Sequence, residues 1–141
     1  MTPPPKTTDP TSYAGPFAPV DPAAVRPSVD DVALLERSRT VSWVTGEDVG
    51  AFTSETRPSS TEVGRLIDEA MDTVLGRLPA TLDPALYPAI RRQVAVRTAV
   101  MIEFSFFREQ FAQGSAQQLL KILEEDAALL ATRAGSGPLI Y

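Results

Sequence analysis

Apolar residues recur between positions 59 and 78 on one helical face: Val63, Leu66, Ile67, Ala70, Met71, Val74, Leu75 and Leu78. This i, i+3, i+4, i+7 spacing is that of an amphipathic helix. Arg65, Asp68, Glu69 and Asp72 occupy the opposite face. Ser59-Ser60-Thr61-Glu62 reads as a capping box, with Ser59 as N-cap and Glu62 at the third helical position, and Pro79 closes the run. A segment of about 20 residues makes a rod of roughly 30 Å. Asp83 and Pro84 then read as the N-cap and first position of another helix, whose firm part starts near Pro88. It carries two apolar stripes, one of Ile90, Val94, Met101 and Phe104 and one of Val96, Val100 and Phe107. A helix apolar on most sides belongs at the centre of a bundle.

Two further helices flank these. Ser28 is a natural N-cap, with Asp30 and Asp31 in the first turn and Val32-Ala33-Leu34-Leu35 behind them, so a short helix is predicted over about 29–37. After the break at Gly114-Ser115, Leu119, Leu120, Ile122, Leu123, Ala127 and Leu130 drive a last helix to about Arg133, with Gly135 as its C-cap. From Ser38 to Arg57 the helical period disappears. Val41 and Trp43 alternate, Thr45-Gly46-Glu47-Asp48 reads as a turn, and Val49 and Ala51-Phe52-Thr53 follow. A hairpin or projecting loop is predicted there, and a connection of that length is usually functional. Val41, Trp43, Val44, Val49 and Phe52 are its candidate contact residues.

The predicted fold class is therefore all-α: a small bundle of three long helices plus a short N-terminal helix, a long loop excursion, and extended arms at both ends. Eight of the 13 prolines fall within residues 1–27, which predicts an extended arm ahead of a helical domain at 28–134. Tyr13, Phe17 and Val20 would anchor that arm on a neighbouring subunit or partner. Gly135-Ser136-Gly137-Pro138 reads as a flexible tether for Leu139, Ile140 and Tyr141. That apolar terminus either folds back on the bundle or adds as a strand to a partner's sheet edge.

Composition narrows the chemistry. The 141-residue chain has a net charge of −5, which argues against coating DNA or an anionic membrane surface. It contains no cysteine and no histidine, which removes disulfides, thiolate nucleophiles, the usual zinc sites and histidine-dependent triads. No cofactor and no catalytic activity are expected. Met1–Pro10 lacks the apolar core of a secretory signal, and the apolar stretch Val94–Phe107 is interrupted by Arg97 and Glu103, so cytoplasmic synthesis without membrane insertion is expected. Asp68 and Asp72 stand one turn apart, as a metal or acid–base pair would, yet with Glu69 beside them a solvated face is the better reading. Arg91, Arg92 and Arg97 could grip phosphate, although arginine stems also cover apolar surface routinely. The glycines are scattered and form no phosphate loop.

From about Ser28 to Arg133 the chain resembles the head-to-tail adaptor (connector) proteins of long-tailed double-stranded DNA bacteriophages, most of all those of actinobacterial phages and related prophages. The likeness rests on Asp31-Val32-Ala33-Leu34-Leu35-Glu36-Arg37, on Thr53…Thr56-Arg57-Pro58-Ser59 leading into Glu62-Val63…Leu66-Ile67-Asp68-Glu69-Ala70, and on Arg91-Arg92-Gln93-Val94-Ala95-Val96-Arg97-Thr98-Ala99. Ile102-Glu103-Phe104-Ser105-Phe106-Phe107 followed by Gln110 continues it. The proline-rich arm departs from the short start of that family.

The resemblance implies a virion neck protein, present in the host cytoplasm during assembly. It would form a ring of typically about twelve copies between the portal protein and the stopper. In that family the C-terminal segment commonly reaches the portal, which implies portal docking by Pro138, Leu139, Ile140 and Tyr141. Loop 38–57 would meet the stopper or the neighbouring copy. About twelve copies at −5 would carry roughly −60 in total, and an acidic lumen lets genomic DNA pass without sticking. Asp68, Glu69 and Asp72 are the candidate channel-facing charges. The rival reading is a helical regulatory module, antitoxin-like, that wraps a protein partner with its proline-rich arm. It predicts a small hetero-complex and no ring.

Overall fold

A computed structural model describes residues 17–107 and the helix of residues 115–139. The class is all-α, with a single pair of two-residue strands among the described residues. In chain order the elements are β1 (Ala18–Pro19), α1 (Pro22–Val25), α2 (Val29–Leu35), a 3-10 turn (Arg37–Arg39), α3 (Ser60–Leu75), β2 (Thr81–Leu82), a second 3-10 turn (Pro84–Leu86), α4 (Tyr87–Phe106) and α5 (Ser115–Leu139).

The predicted central helix is central: α4 packs against α1, α2, α3 and α5. Ile90, Val94, Ala95, Val96, Ala99 and Ile102 are all buried on it, so more than one of its faces is covered. Asp83 caps the preceding 3-10 turn by accepting a hydrogen bond from the Ala85 N–H at 2.9 Å. Pro88 fits the first turn of α4 because amide groups there have no acceptor within the helix.

The capping box forms on α3. Ser59 Oγ accepts from the Glu62 N–H at 3.2 Å, and Glu62 Oε1 accepts from the Ser59 N–H at 2.9 Å. Val63, Ile67, Ala70, Met71 and Val74 are its buried face. The helix ends at Leu75 rather than Leu78. Gly76 caps it, and the chain tightens into i→i+3 bonds from Arg77 to Val74 and from Leu78 to Leu75. Pro79 disfavours helical geometry at the residue before it, which explains the early exit. Ser28 likewise caps α2, in a reciprocal box with Asp31.

Two expectations about the ends of the chain are corrected. From Phe17 onward the proline-rich segment belongs to the bundle. Ala18 and Pro19 pair antiparallel with Leu82 and Thr81, and the Val20 N–H donates to the Ala80 carbonyl at 3.2 Å. Asp21 then caps the single turn of α1, where Pro22 supplies a preset φ. Val25 is fully buried and Val20 packs on the same core. Proline density masked this because proline suits both a helix's first position and a short edge strand. Phe17 and Val20 are thus half-buried on this chain's own bundle, and Tyr13 lies outside the described residues.

At the other end, α5 continues through Gly135, Gly137 and Pro138 to Leu139 instead of stopping at Arg133. Glycine disfavours a helix by only about 1 kcal/mol relative to alanine, and extending an existing helix needs no new nucleus. Pro138 falls within its last turn. The predicted tether is therefore helical backbone as far as Leu139, and Ile140 and Tyr141 lie outside the described residues.

Candidate functional site

The 38–57 segment meets the C-terminal end of α4, where Arg39 pairs with Glu103 and Trp43 shares a hollow with Phe106. Bridges Val41↔Asp48 and Ser42↔Thr56 make it hairpin-like. The Trp43 N–H donates to the Glu55 carbonyl at 2.8 Å, and the Ser42 N–H to the Glu47 carbonyl at 2.9 Å. Gly46 and Gly50 take φ of 77° and 73°, values that side chains resist, so the two turns need glycine. Thr40 and Thr56, both buried, tie the base. Thr56 Oγ1 accepts from the Thr53 N–H at 2.8 Å and donates to the Pro58 carbonyl at 2.8 Å. The Gly50 N–H and the Thr40 hydroxyl both bond Asp48 and hold its carboxyl below the usual range.

On this scaffold Trp43 stands 66% exposed, with Val41, Val44 and Val49 also exposed. Trp43 borders a hollow of about 440 Å³ shared with Ser54, Arg57, Thr61, Glu62 and Phe106. Four of the five loop residues singled out from the sequence therefore face solvent. Phe52 does not. It is 4% exposed and belongs to the main core, which corrects its assignment as a contact residue. An aromatic in a turn-rich stretch has no local periodicity to reveal such packing. Sequence reasoning also missed exposed Leu34 and Phe104, which it placed on apolar helical stretches.

Beneath the loop lies a buried ionic cluster that the sequence did not single out. Arg39 Nε and Nη2 donate to Glu103 Oε2 and Oε1 at 2.8 and 2.7 Å, a bidentate pair linking the 3-10 turn to α4. The Arg39 guanidinium also lies 3.7 Å over the centre of the Phe107 ring. Glu36 is the third member. Burial first, then its hydrogen bond and charge repulsion with Glu103, push the Glu36 carboxyl up to about 9, so at neutral pH it is a neutral acid. Burial alone would raise Glu103 as well, but the hydrogen bonds from Arg39 and Glu36 and the charge of Arg39 outweigh it and hold Glu103 below the ordinary range. One neutral acid, one carboxylate and one guanidinium leave the cluster without net charge, as burial requires. It rivets the root of the loop to the central helix.

No family model, no curated protein and no solved structure matches this chain.

The remaining candidates separate. Glu69 and Asp72 are exposed on α3, whereas Asp68 forms an ion pair with Arg26 that ties the segment after α1 to α3. Asp68 is thus partly neutralised and is not a free acidic charge. The three arginines of α4 go three different ways. Arg91 Nη2 donates to the Ala24 carbonyl at 2.8 Å, and Arg92 pairs with Asp126 of α5 at 2.8 Å. Arg97 turns into a cleft against Arg77 and Gln93. They form no common phosphate grip. Among the described residues no group of three or more acidic side chains is placed to hold a metal ion, and no helix is long and apolar enough to cross a membrane.

Proposed function

We propose that this chain is a structural, non-catalytic subunit of a bacteriophage neck: an adaptor assembling as a ring of typically about twelve copies between portal and stopper. The reading rests on the resemblance to that family of the ordered segments from Asp31 through Phe107. The fold is compatible with it. A bundle built around one helix covered on several faces leaves the outer faces of α3 and α5 for lateral packing. The loop presents Val41, Trp43, Val44 and Val49 away from the core, rooted by the Glu36–Glu103–Arg39 cluster, as a rigid contact with the stopper or the next copy. Glu69 and Asp72 are the acidic charges offered to passing DNA. Pro138, Leu139, Ile140 and Tyr141 are the portal-docking residues, delivered at the end of α5. The protein works in the virion neck after assembly in the host cytoplasm.

The test is the mass in solution of the purified protein, alone and mixed with the portal protein encoded beside it, for the full chain and for a chain ending at Gly135. Ring-sized complexes that need both the portal and the last six residues support the assignment and the docking role together. Binding that survives truncation removes the docking role and leaves the adaptor. Failure to bind portal in any condition, with a tight one-to-one protein partner instead, replaces the adaptor with the regulatory reading.

A further inference from the structure

We propose that the cleft between the C-terminal turn of α3, the middle of α4 and α5 is a binding site for a small organic carboxylate with an apolar body. Three observations meet there. Gln93 is 3% exposed, yet among the described residues its amide Nε2 has no hydrogen-bond partner, and the buried Nε of Arg97 has none either. Residues 93 and 97 are one helical turn apart, so both donors lie on the same face of α4. Arg77 stands at the rim of the same cleft, and among the described residues neither Arg77 nor Arg97 forms an ion pair. Asp126, on the adjoining helix, is committed to Arg92. The cleft thus holds two cationic groups and a buried amide donor, and among the described residues no carboxylate borders it.

An unsatisfied buried donor is costly in a native protein and calls for an explanation. Burial and the charge of Arg77 pull the Arg97 guanidinium below its usual range, the response expected of a cation without a counter-ion. An anion seated between Gln93 and Arg97 would relieve all three strains. The walls choose among anions. Val74, Leu78, Ala127, Ala128 and Leu130 supply the rest of the lining, and two alanines on α5 leave the space open. Inorganic phosphate would meet the same donors, but it would lose water against those side chains and has no apolar body to cover them. A carboxylate accepts a forked pair of N–H bonds from a guanidinium, and its apolar body covers the wall. The cleft holds about 300 Å³. At about 30 Å³ per small group that is room for roughly ten non-hydrogen atoms, the size of octanoate. This inference is independent of the neck assignment.

The experiment is titration of the ¹⁵N-labelled full chain with octanoate, followed through the Gln93 side-chain amide and the backbone amides of Ala127, Ala128 and Leu130. Octanol, octylamine and inorganic phosphate serve as parallel probes. Saturable shifts at those positions with octanoate are expected, at least tenfold weaker with octanol and absent with octylamine. Gln93→Leu and Arg97→Met should each weaken octanoate at least tenfold, while Arg92→Gln, outside the cleft, should leave it unchanged. Arg97→Met removes an unpaired, half-buried charge and keeps an apolar stem of similar length, so it should fold about as well as the parent. Equal response to octanol and octanoate, tighter binding of phosphate, no shifts with octanoate at millimolar concentration, or octanoate binding unaffected by Arg97→Met would each overturn the proposal.

Discussion

The Glu36 carboxyl makes the stability of this protein pH-dependent in an unusual direction. Its ordinary value is 4.5 and the folded chain raises it to about 9. The stability linked to its proton is therefore present in full below about 4.5. Through neutral pH the unfolded chain has released the proton and the folded chain has not, so this stability declines by about 1.4 kcal/mol per pH unit, and it is gone above about 9. Between pH 6 and pH 8 the expected loss is about 3 kcal/mol, a large part of the 5–15 kcal/mol typical of a domain. Glu103 is held low and acts in the opposite sense, since its contribution is present above its ordinary value and is lost only as acid protonates it. It leaves the pH 6–8 window untouched. The chain has no histidine and no cysteine, so few other side chains titrate there. The assay is urea unfolding followed by far-UV ellipticity, because the single tryptophan is exposed and its emission reports the core poorly. With a urea slope of about 1–3 kcal/mol per molar, the midpoint should fall by about 1–3 M from pH 6 to pH 8. Glu36→Gln, which keeps the shape and a donor toward Glu103, should match the parent near pH 6, show almost no slope, and be the more stable of the two at pH 8. A parent whose midpoint is the same at both pH values, or a Glu36→Gln protein with the parent's slope, refutes the reasoning.

Two further outcomes are expected from the same unfolding assay. Phe52→Ala should destabilise by about 3–5 kcal/mol because it empties a core position, whereas Trp43→Ser, on the same loop but exposed, should change stability by less than about 1 kcal/mol. Equal effects would mean that the loop is seated differently. Val25→Ala should lower stability by about 2 kcal/mol, since a fully buried side chain is truncated; a change below about 0.5 kcal/mol would return this segment to the extended arm predicted from its prolines.

Features written in consecutive residues were legible in the sequence. The box of Ser59 and Glu62 needs only four positions, and the double stripe of α4 announces burial on several faces by itself. What stayed hidden depends on partners distant in the chain. Glu103 reads as a polar interruption of an apolar run until Arg39 arrives from 64 residues away. Phe52 sits among turn residues with no period to mark it. The spacing of Gln93 and Arg97 was visible, but that no acid among the described residues faces them was not. Prolines 19 and 22 pointed to an arm because composition counts them without asking whether each occupies a strand edge or a helix start.

The burial of α1 and α2 against α4 has a consequence for synthesis. Val25, Val32 and Ala33 find their cover on a helix that ends only at Phe106. At about 5–20 residues per second, the ribosome needs roughly 4–16 s to travel from the first of these to the end of that helix. For that interval α1 and α2 lack the cover that α4 supplies. Elements made before α4 are thus covered only after it.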